Sequence, residues 1–302
     1  MQEERKMKRQ KNHKKYSAKA IIFYKIFPVI IIVTGIMTAM YPWISDYIYR
    51  DKVSKVVVDY ENEVNNMNDE GIEKLFFEAQ KYNDSLAKEV ATLHDPFSED
   101  VLNHISEKYA SLILLKGGVM GYIMIPKINV NLPIYHGSDA VTLTKGIGHL
   151  EGTSLPVGGD GCHSVLTGHT GLNDKKLFTD LDQMDKGDMF FIKILNKKLC
   201  YKVVSVKVVL PNDTSSIFFD SNRDICRLIT CTPYGINDHR LLVTGERCEY
   251  TENMEEDIKA GNYVSQWKNE YIKCIAIGLL LAFFIVTEKK CLSRKKIRKD
   301  KR

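Results

Sequence analysis

The sequence predicts a mostly β protein: a barrel of short antiparallel strands, preceded by helices and bracketed by two membrane-spanning helices. Three patterns carry this. From Gly118 onward, apolar runs rich in β-branched and aromatic residues alternate with Pro, Gly, Asn and Asp punctuation. Between Asp51 and Ala91 apolar residues recur at helical spacing. Uncharged apolar segments adjoin strongly basic tails at both ends of the chain.

The tails explain the net charge. Of 302 residues, 44% are apolar and 27% charged, with a net charge of +5. Met1–Ala20 carries eight Lys/Arg against two acids, and Glu288–Arg302 carries nine against two. Between Ile26 and Thr287 the count is 25 basic to 34 acidic, a balance of −9. A mildly acidic body with basic ends fits a membrane surface and argues against nucleic acid.

Ile26–Ile44 is uncharged, with Tyr41 and Trp43 suited to an interface, and spans about 28 Å as a helix. Its apolar run exceeds that of a cleaved leader, and no small-x-small site follows, so it reads as an uncleaved anchor. Tyr271–Thr287 is the second span, interrupted only by Lys273, which can snorkel. The positive-inside rule places both termini in the cytoplasm and the body outside.

After the first span, Val53, Val57, Tyr60 and Val64 mark one helix over Asp51–Asn66. Beyond Gly71, Ile72, Leu75, Phe76, Ala79, Leu86 and Val90 form the stripe of a second, Ile72–Ala91. Asp95-Pro96-Phe97-Ser98 interrupts the pattern as a turn, and Val101–Leu115 resumes it. Seven strands follow: Tyr122–Ile125, Val130–Tyr135, His163–Leu166, Met189–Leu195, Lys198–Leu210, Asp224–Thr230 and Arg240–Arg247, with a short helix over Lys175–Asp182.

Three strand ends hold reactive groups. Cys231 closes the run Ile225–Ile229 just before Thr232-Pro233-Tyr234-Gly235, and Arg240 opens the next strand. His163-Ser164-Val165-Leu166-Thr167-Gly168-His169 is a strand that ends in an imidazole. A thiol, an imidazole and a guanidinium can serve as nucleophile, acid/base and oxyanion stabiliser. Pattern alone does not choose among the eight histidines. His163 and His169 share a face of an ideal strand, His94 lies beside the Asp95-Pro96-Phe97 turn, His136 and His149 read as loop residues, and His239 points to the opposite face from Arg240. On spacing alone Arg240 is a solvated arginine at a strand end. Cys162, Cys200 and Cys226 read as small buried hydrophobes, a disulfide among the outer cysteines stays open, and no cysteine has zinc spacing with histidines.

The same residues resemble a family. Leu228-Ile229-Thr230-Cys231 with Arg240 downstream is similar to the TLxTC…R signature of sortases, and Thr167-Gly168-His169 to their histidine strand. The string Cys231–Arg247 is similar to the class C, pilin-polymerising members. Arg227 stands where that class usually has Thr or Ser, Asp238 where Thr is common, and Thr244 where Arg is common. The resemblance runs from about Asp95 to Arg247. It implies a closed eight-stranded barrel with Cys231 as nucleophile, His169 as acid/base and Arg240 as oxyanion stabiliser or substrate clamp. It also implies that Asp95, Pro96 and Phe97 form an inhibitory lid, similar to the DPF/DPW lid of the class.

The chain then divides into a basic segment (1–25), a transmembrane helix (26–44) and extracellular helices with the lid (45–116). A catalytic barrel (117–250), a linker (251–270), a second transmembrane helix (271–287) and a basic tail (288–302) follow. The expected partners are pilins or surface proteins with LPxTG-like signals, and membrane lipid. No metal or organic cofactor is implied. No LPxTG-type pentapeptide precedes the second span, so the chain reads as enzyme and not substrate. A wall-anchoring sortase is the nearest alternative, and a non-catalytic adhesion or scaffold protein is the alternative without chemistry. An L,D-transpeptidase lacks its SxGC[IV]R-like block here.

Overall fold

The structure is a computed structural model that describes residues 18–86, 95–97, 105–172, 174–213, 222–251, 254, 276 and 278. Two compact units divide between Ile44 and Ser45. Helix α1 (Ala18–Asn65) is continuous where the sequence suggested two helices. Nothing between Ser45 and Arg50 breaks a helix, and Asp46–Arg50 and Asp51–Lys55 ion pairs bridge successive turns there. Its Val29, Ile30, Ile31 and Met37 are exposed, and it is the one helix among the described residues long and apolar enough to cross a membrane. The second predicted span, the linker and the basic tail lie outside the described residues, apart from Thr251, Met254, Ala276 and Gly278.

In the second unit Val53, Val57, Tyr60 and Val64 are buried, as their spacing predicts. The Tyr60 hydroxyl donates to the Met120 carbonyl at 3.0 Å and accepts from the Leu195 amide at 2.6 Å. Helix α2 (Asp69–Leu86) buries Ile72 and Ala79. Asn83 also turns inward, exchanging two hydrogen bonds with the Leu155 backbone, at 3.1 and 2.8 Å. Val90 of the predicted stripe, and Ser98 after the turn, lie outside the described residues.

The barrel closes in the order β1-β2-β3-β4-β7-β8-β6-β5. Its strands are β1 (Val119–Ile125), β2 (Val130–His136), β3 (Ile147–His149), β4 (His163–Thr167), β5 (Met189–Ile194), β6 (Lys197–Val209), β7 (Ile225–Thr232) and β8 (His239–Cys248). It is mixed, which corrects the antiparallel expectation: β2 pairs β3 and β4 pairs β7 in parallel. β3 is the strand the sequence concealed, because three residues cannot display a period of two. A short helix, α4 (Ala140–Lys145), makes the crossover into it, started by Asp139, whose side chain accepts from the amides of Val141 and Thr142. β1 is buried along its whole length.

Two predicted helices are corrected. Within Val101–Leu115 only α3 (Glu107–Ala110) is helical among the described residues. The Leu112 carbonyl goes to the His136 ring and Ile113 is left-handed at φ 48°, which ends the helix. Lys175–Asp182 is a turn leading to a 3₁₀ segment, Leu181–Gln183. There Leu177 is left-handed at φ 37°, and the Phe178 amide donates to the His169 carbonyl, not to an α-helical partner. Leu177, Phe178 and Leu181 are all buried, and a buried Lys176–Asp180 ion pair completes the segment. His136 and His149, read as loop residues, instead end β2 and β3 and are buried.

Candidate active site

The site lies on the face of the sheet opposite the main core. Along β7 and β8, Leu228, Leu241 and Val243 join the barrel core, while Ile229 and Leu242 join Leu150 and Val165 in a separate cluster. The period of two puts Cys231 on the face of Ile229 and Arg240 on that of Leu242. Cys231 and Arg240 are direct cross-strand partners.

Parallel pairing of β4 with β7 settles where the rival histidines fall. Thr167 is registered with Ile229, and both chains run two residues further to reach His169 and Cys231. His163 is registered with Ile225, six residues before Cys231 and thus roughly 20 Å away along the strand. The structure therefore brings His169 to the thiol's end of the sheet and leaves His163 at the other.

The peptide before His169 is tied on several sides. The Gly168 amide donates to the Ile229 carbonyl at 3.1 Å, and the Gly168 carbonyl accepts from the Thr230 hydroxyl at 2.7 Å. The His169 carbonyl accepts from the Phe178 amide at 3.1 Å. A Cβ on Gly168 would sit 2.7 Å from Ile147 and 2.8 Å from Phe178, so only glycine passes here. Thr230 and Phe178 thus hold the imidazole's backbone. Sequence reading gave neither a task, since hydrogen bonds across β4 and β7 leave no local signal.

Asp95-Pro96-Phe97 lies on this site. Both Asp95 carboxylate oxygens accept from Arg240, from Nε at 2.8 Å and from Nη2 at 2.6 Å. The side chains of that pair are only 11% exposed. Arg240 Nη1 donates to the carbonyls of Asn237 and His239, at 3.1 and 3.0 Å. Phe97 packs on the Leu150–Val165–Ile229–Leu242 cluster, 5.8 Å from the His169 ring and 5.2 Å from the Arg240 guanidinium carbon, centre to centre. The Phe97 amide turns back to Asp95 at 3.4 Å.

Electrostatics follow from this cover. Burial raises the Cys231 thiol pKa, Arg240 opposes that, and the Asp95 charge adds to it. Burial, then the positive charge of Lys175, lowers the His169 pKa. Both shifts favour a neutral thiol beside a neutral imidazole. For Arg240, burial works against the charge, but its hydrogen bonds to Asp95 and the charges of Cys231 and Asp95 leave its pKa raised. Among the described residues no cluster of three or more His, Cys, Asp or Glu is placed to hold a metal ion. A half-buried thiol opposite a fixed guanidinium, with an imidazole at the same strand ends, can perform nucleophilic acyl transfer.

The three positions that depart from the class C pattern fall as follows. Arg227 and Thr244 are cross-strand partners, and Arg227 Nε donates to the Thr244 hydroxyl at 3.1 Å. Asp238 is exposed and bonds His239 at 2.7 Å.

Residues 123–248 match the model of the sortase domain. Sortase D of Bacillus subtilis is 32% identical over 134 residues, 43% of this chain and 65% of that protein. Sortase A of Staphylococcus aureus is 32% identical over 39% of this chain and 58% of its own length. The chain thus spans just under two thirds of these curated relatives. Among solved structures, a sortase C-1 mutant of Streptococcus pneumoniae aligns with TM-score 0.61 and 38% identity over 65% of this chain and 98% of that one. Sortase C-1 of Actinomyces oris gives 0.57 and 48% over 60% and 99%. The pilus-related sortase C of Group B Streptococcus gives 0.60 and 40% over 64% and 97%.

Proposed function

Because this chain belongs to the sortase family, we propose that it is a class C-like cysteine transpeptidase that builds covalent pili. The observation that carries the reading is Cys231 facing Arg240 across two strands with His169 tied at the same end, all beneath Asp95-Pro96-Phe97. In this reading the Cys231 sulfur attacks the Thr carbonyl carbon of an LPxTG-like signal while His169 takes the thiol proton. Arg240, freed from Asp95, steadies the oxyanion. His169 then protonates the glycine amine as the C–N bond breaks, leaving a thioester. A pilin lysine amine attacks the thioester and gives a proton to His169. The new isopeptide bond forms as the C–S bond breaks, and the sulfur recovers its proton from His169.

Asp95, Pro96 and Phe97 are the inhibitory lid of this reading, occupying the guanidinium and the apolar floor that a substrate needs. The apolar part of α1, with the segment at 271–287, anchors the enzyme in the cell membrane, with residues 45–270 outside and both termini inside. Reporter fusions after Arg50 and Arg302 test the topology, the first expected outside and the second inside. The test of function is incubation of the enzyme with a pilin subunit bearing its sorting signal. Wild type should give high-molecular-weight ladders and Cys231→Ala none, with an unchanged circular dichroism spectrum. Ladders from Cys231→Ala would sink the mechanism. Product joined to a wall peptide instead of pilin lysine would move the enzyme to the wall-anchoring class.

A further inference from the structure

We propose that Cys200 and Cys248 are a disulfide-forming pair, a modification site at the end of the barrel away from Cys231. The two residues face each other directly across β6 and β8. Facing residues of antiparallel strands have Cα atoms about 4.5 or 5.5 Å apart, inside the range a disulfide spans. Both are free thiols in the structure. The Cys200 thiol donates to the Met254 sulfur at 3.8 Å, a weak contact that oxidation gives up at little cost. The other buried cysteines are differently placed. Cys226 is registered with Ser164 and Gly245, and the Cys162 thiol donates to the Leu155 carbonyl.

The exposure of the two thiols sets the order of events. Cys200 is fully buried and Cys248 is partly exposed. The Cys248 thiolate attacks one sulfur of a small-molecule disulfide, a new S–S bond forms, and one thiol of the oxidant leaves. The Cys200 thiolate then attacks the Cys248 sulfur and expels the second. Two protein thiols are thereby oxidised by two electrons and one disulfide is reduced to two thiols. Burial pushes the Cys200 thiol up to about 12, so the second step is slow at neutral pH and quickens as pH rises. The closed loop contains all of β7 and most of β8, including Cys231 and Arg240. The bond restrains the unfolded chain. It lies eight residues from Arg240 along β8, roughly 27 Å, which leaves the thiol site undisturbed.

The test is oxidation of the full-length chain with oxidised glutathione, followed by thiol counting and a non-reducing peptide map. The expected result is loss of two free thiols from the set of seven cysteines, with the Cys200 peptide joined to the Cys248 peptide. A reversible rise in Tm of about 5 °C or more should accompany it. Cys248→Ser, at the partly exposed position, should abolish link and rise while the rate of Cys231 alkylation stays at the wild-type value. Cys200→Ser is the second variant. Stable glutathione on Cys248, both thiols alkylatable after oxidation, or a link between other cysteines would each overturn the proposal.

Discussion

Asp95 holds Arg240 through both carboxylate oxygens, although 145 residues separate them in the chain. The guanidinium sits directly across the sheet from Cys231 yet is directed at a carboxylate. Two effects meet there. In the proposed mechanism the pair withholds the group an oxyanion needs, and the Asp95 charge adds to the burial that raises the thiol's pKa. Buried charge-assisted bonds are the stronger kind, so releasing this contact has a cost that substrate binding must offset.

Asp95→Ala and Phe97→Ala are therefore expected to speed alkylation of Cys231, by about tenfold if the closed state is favoured by about 1.4 kcal/mol. Asp95→Asn should also lower the pH at which alkylation reaches half its maximum, since a charge that disfavours thiolate is gone. In wild type that pH should lie above the ordinary 9.0 of the thiol. Phe97→Ala should lower stability by about 1 kcal/mol through loss of a docked ring. Identical alkylation rates in all these proteins would reduce Asp95-Pro96-Phe97 to a surface turn.

The two histidines of the β4 segment should separate cleanly. His169→Ala should lose roughly 10²-fold or more in turnover. His163→Ala, about six residues back along the strand, should keep kcat or fail through lowered stability, which a melting curve distinguishes. Turnover intact in His169→Ala and specifically lost in His163→Ala would reverse the assignment.

Thr230 is expected to act through His169. Thr230→Val keeps the shape but leaves the Gly168 carbonyl without the hydroxyl it accepts from at 2.7 Å. The cost to stability should be about 1–3 kcal/mol. The fall in kcat should exceed any change in KM, and Thr230→Ser should restore most of it. A purely structural threonine would lower Tm and leave kcat of the folded fraction unchanged.

Acid should destabilise the barrel before carboxylate titration explains it. His149 is fully buried, and burial depresses its pKa from 6.5 to about 3. Its Nε2 donates to the Ser154 carbonyl at 2.8 Å, so Nδ1 accepts from the Tyr109 hydroxyl at 2.7 Å and the ring is neutral. Above pH 6.5 both folded and unfolded states leave it neutral, so it costs nothing. As pH falls below 6.5 the unfolded chain gains the proton first, and stability is lost progressively toward pH 3. His136, also depressed by burial, adds in the same direction. The sum is on the order of several kcal/mol. His149→Gln should show a smaller drop in Tm between pH 7 and about pH 4.5 than wild type. An equal drop would remove His149 as the source.

Chemistry-bearing residues and most strands were legible because their signals are local. An apolar run ending in Cys231 before Thr-Pro-Tyr-Gly, or valines at helical spacing in α1, needs only neighbours in the chain to be recognised. Only the fold decided what depends on long-range partners. β3 exists because β2 and β4 flank it, and Lys175–Asp182 is not an α-helix because the His169 carbonyl takes the Phe178 amide. His136 and His149 are held inside the fold because the Leu112 and Ser154 carbonyls accept from their ring nitrogens and the Tyr109 hydroxyl donates to His149 Nδ1. Which of His163 and His169 lies at the end of the sheet that carries Cys231, which strand periodicity leaves undecided, is set by the register of β4 on β7. Register is a property of two strands, and no spacing within one of them contains it.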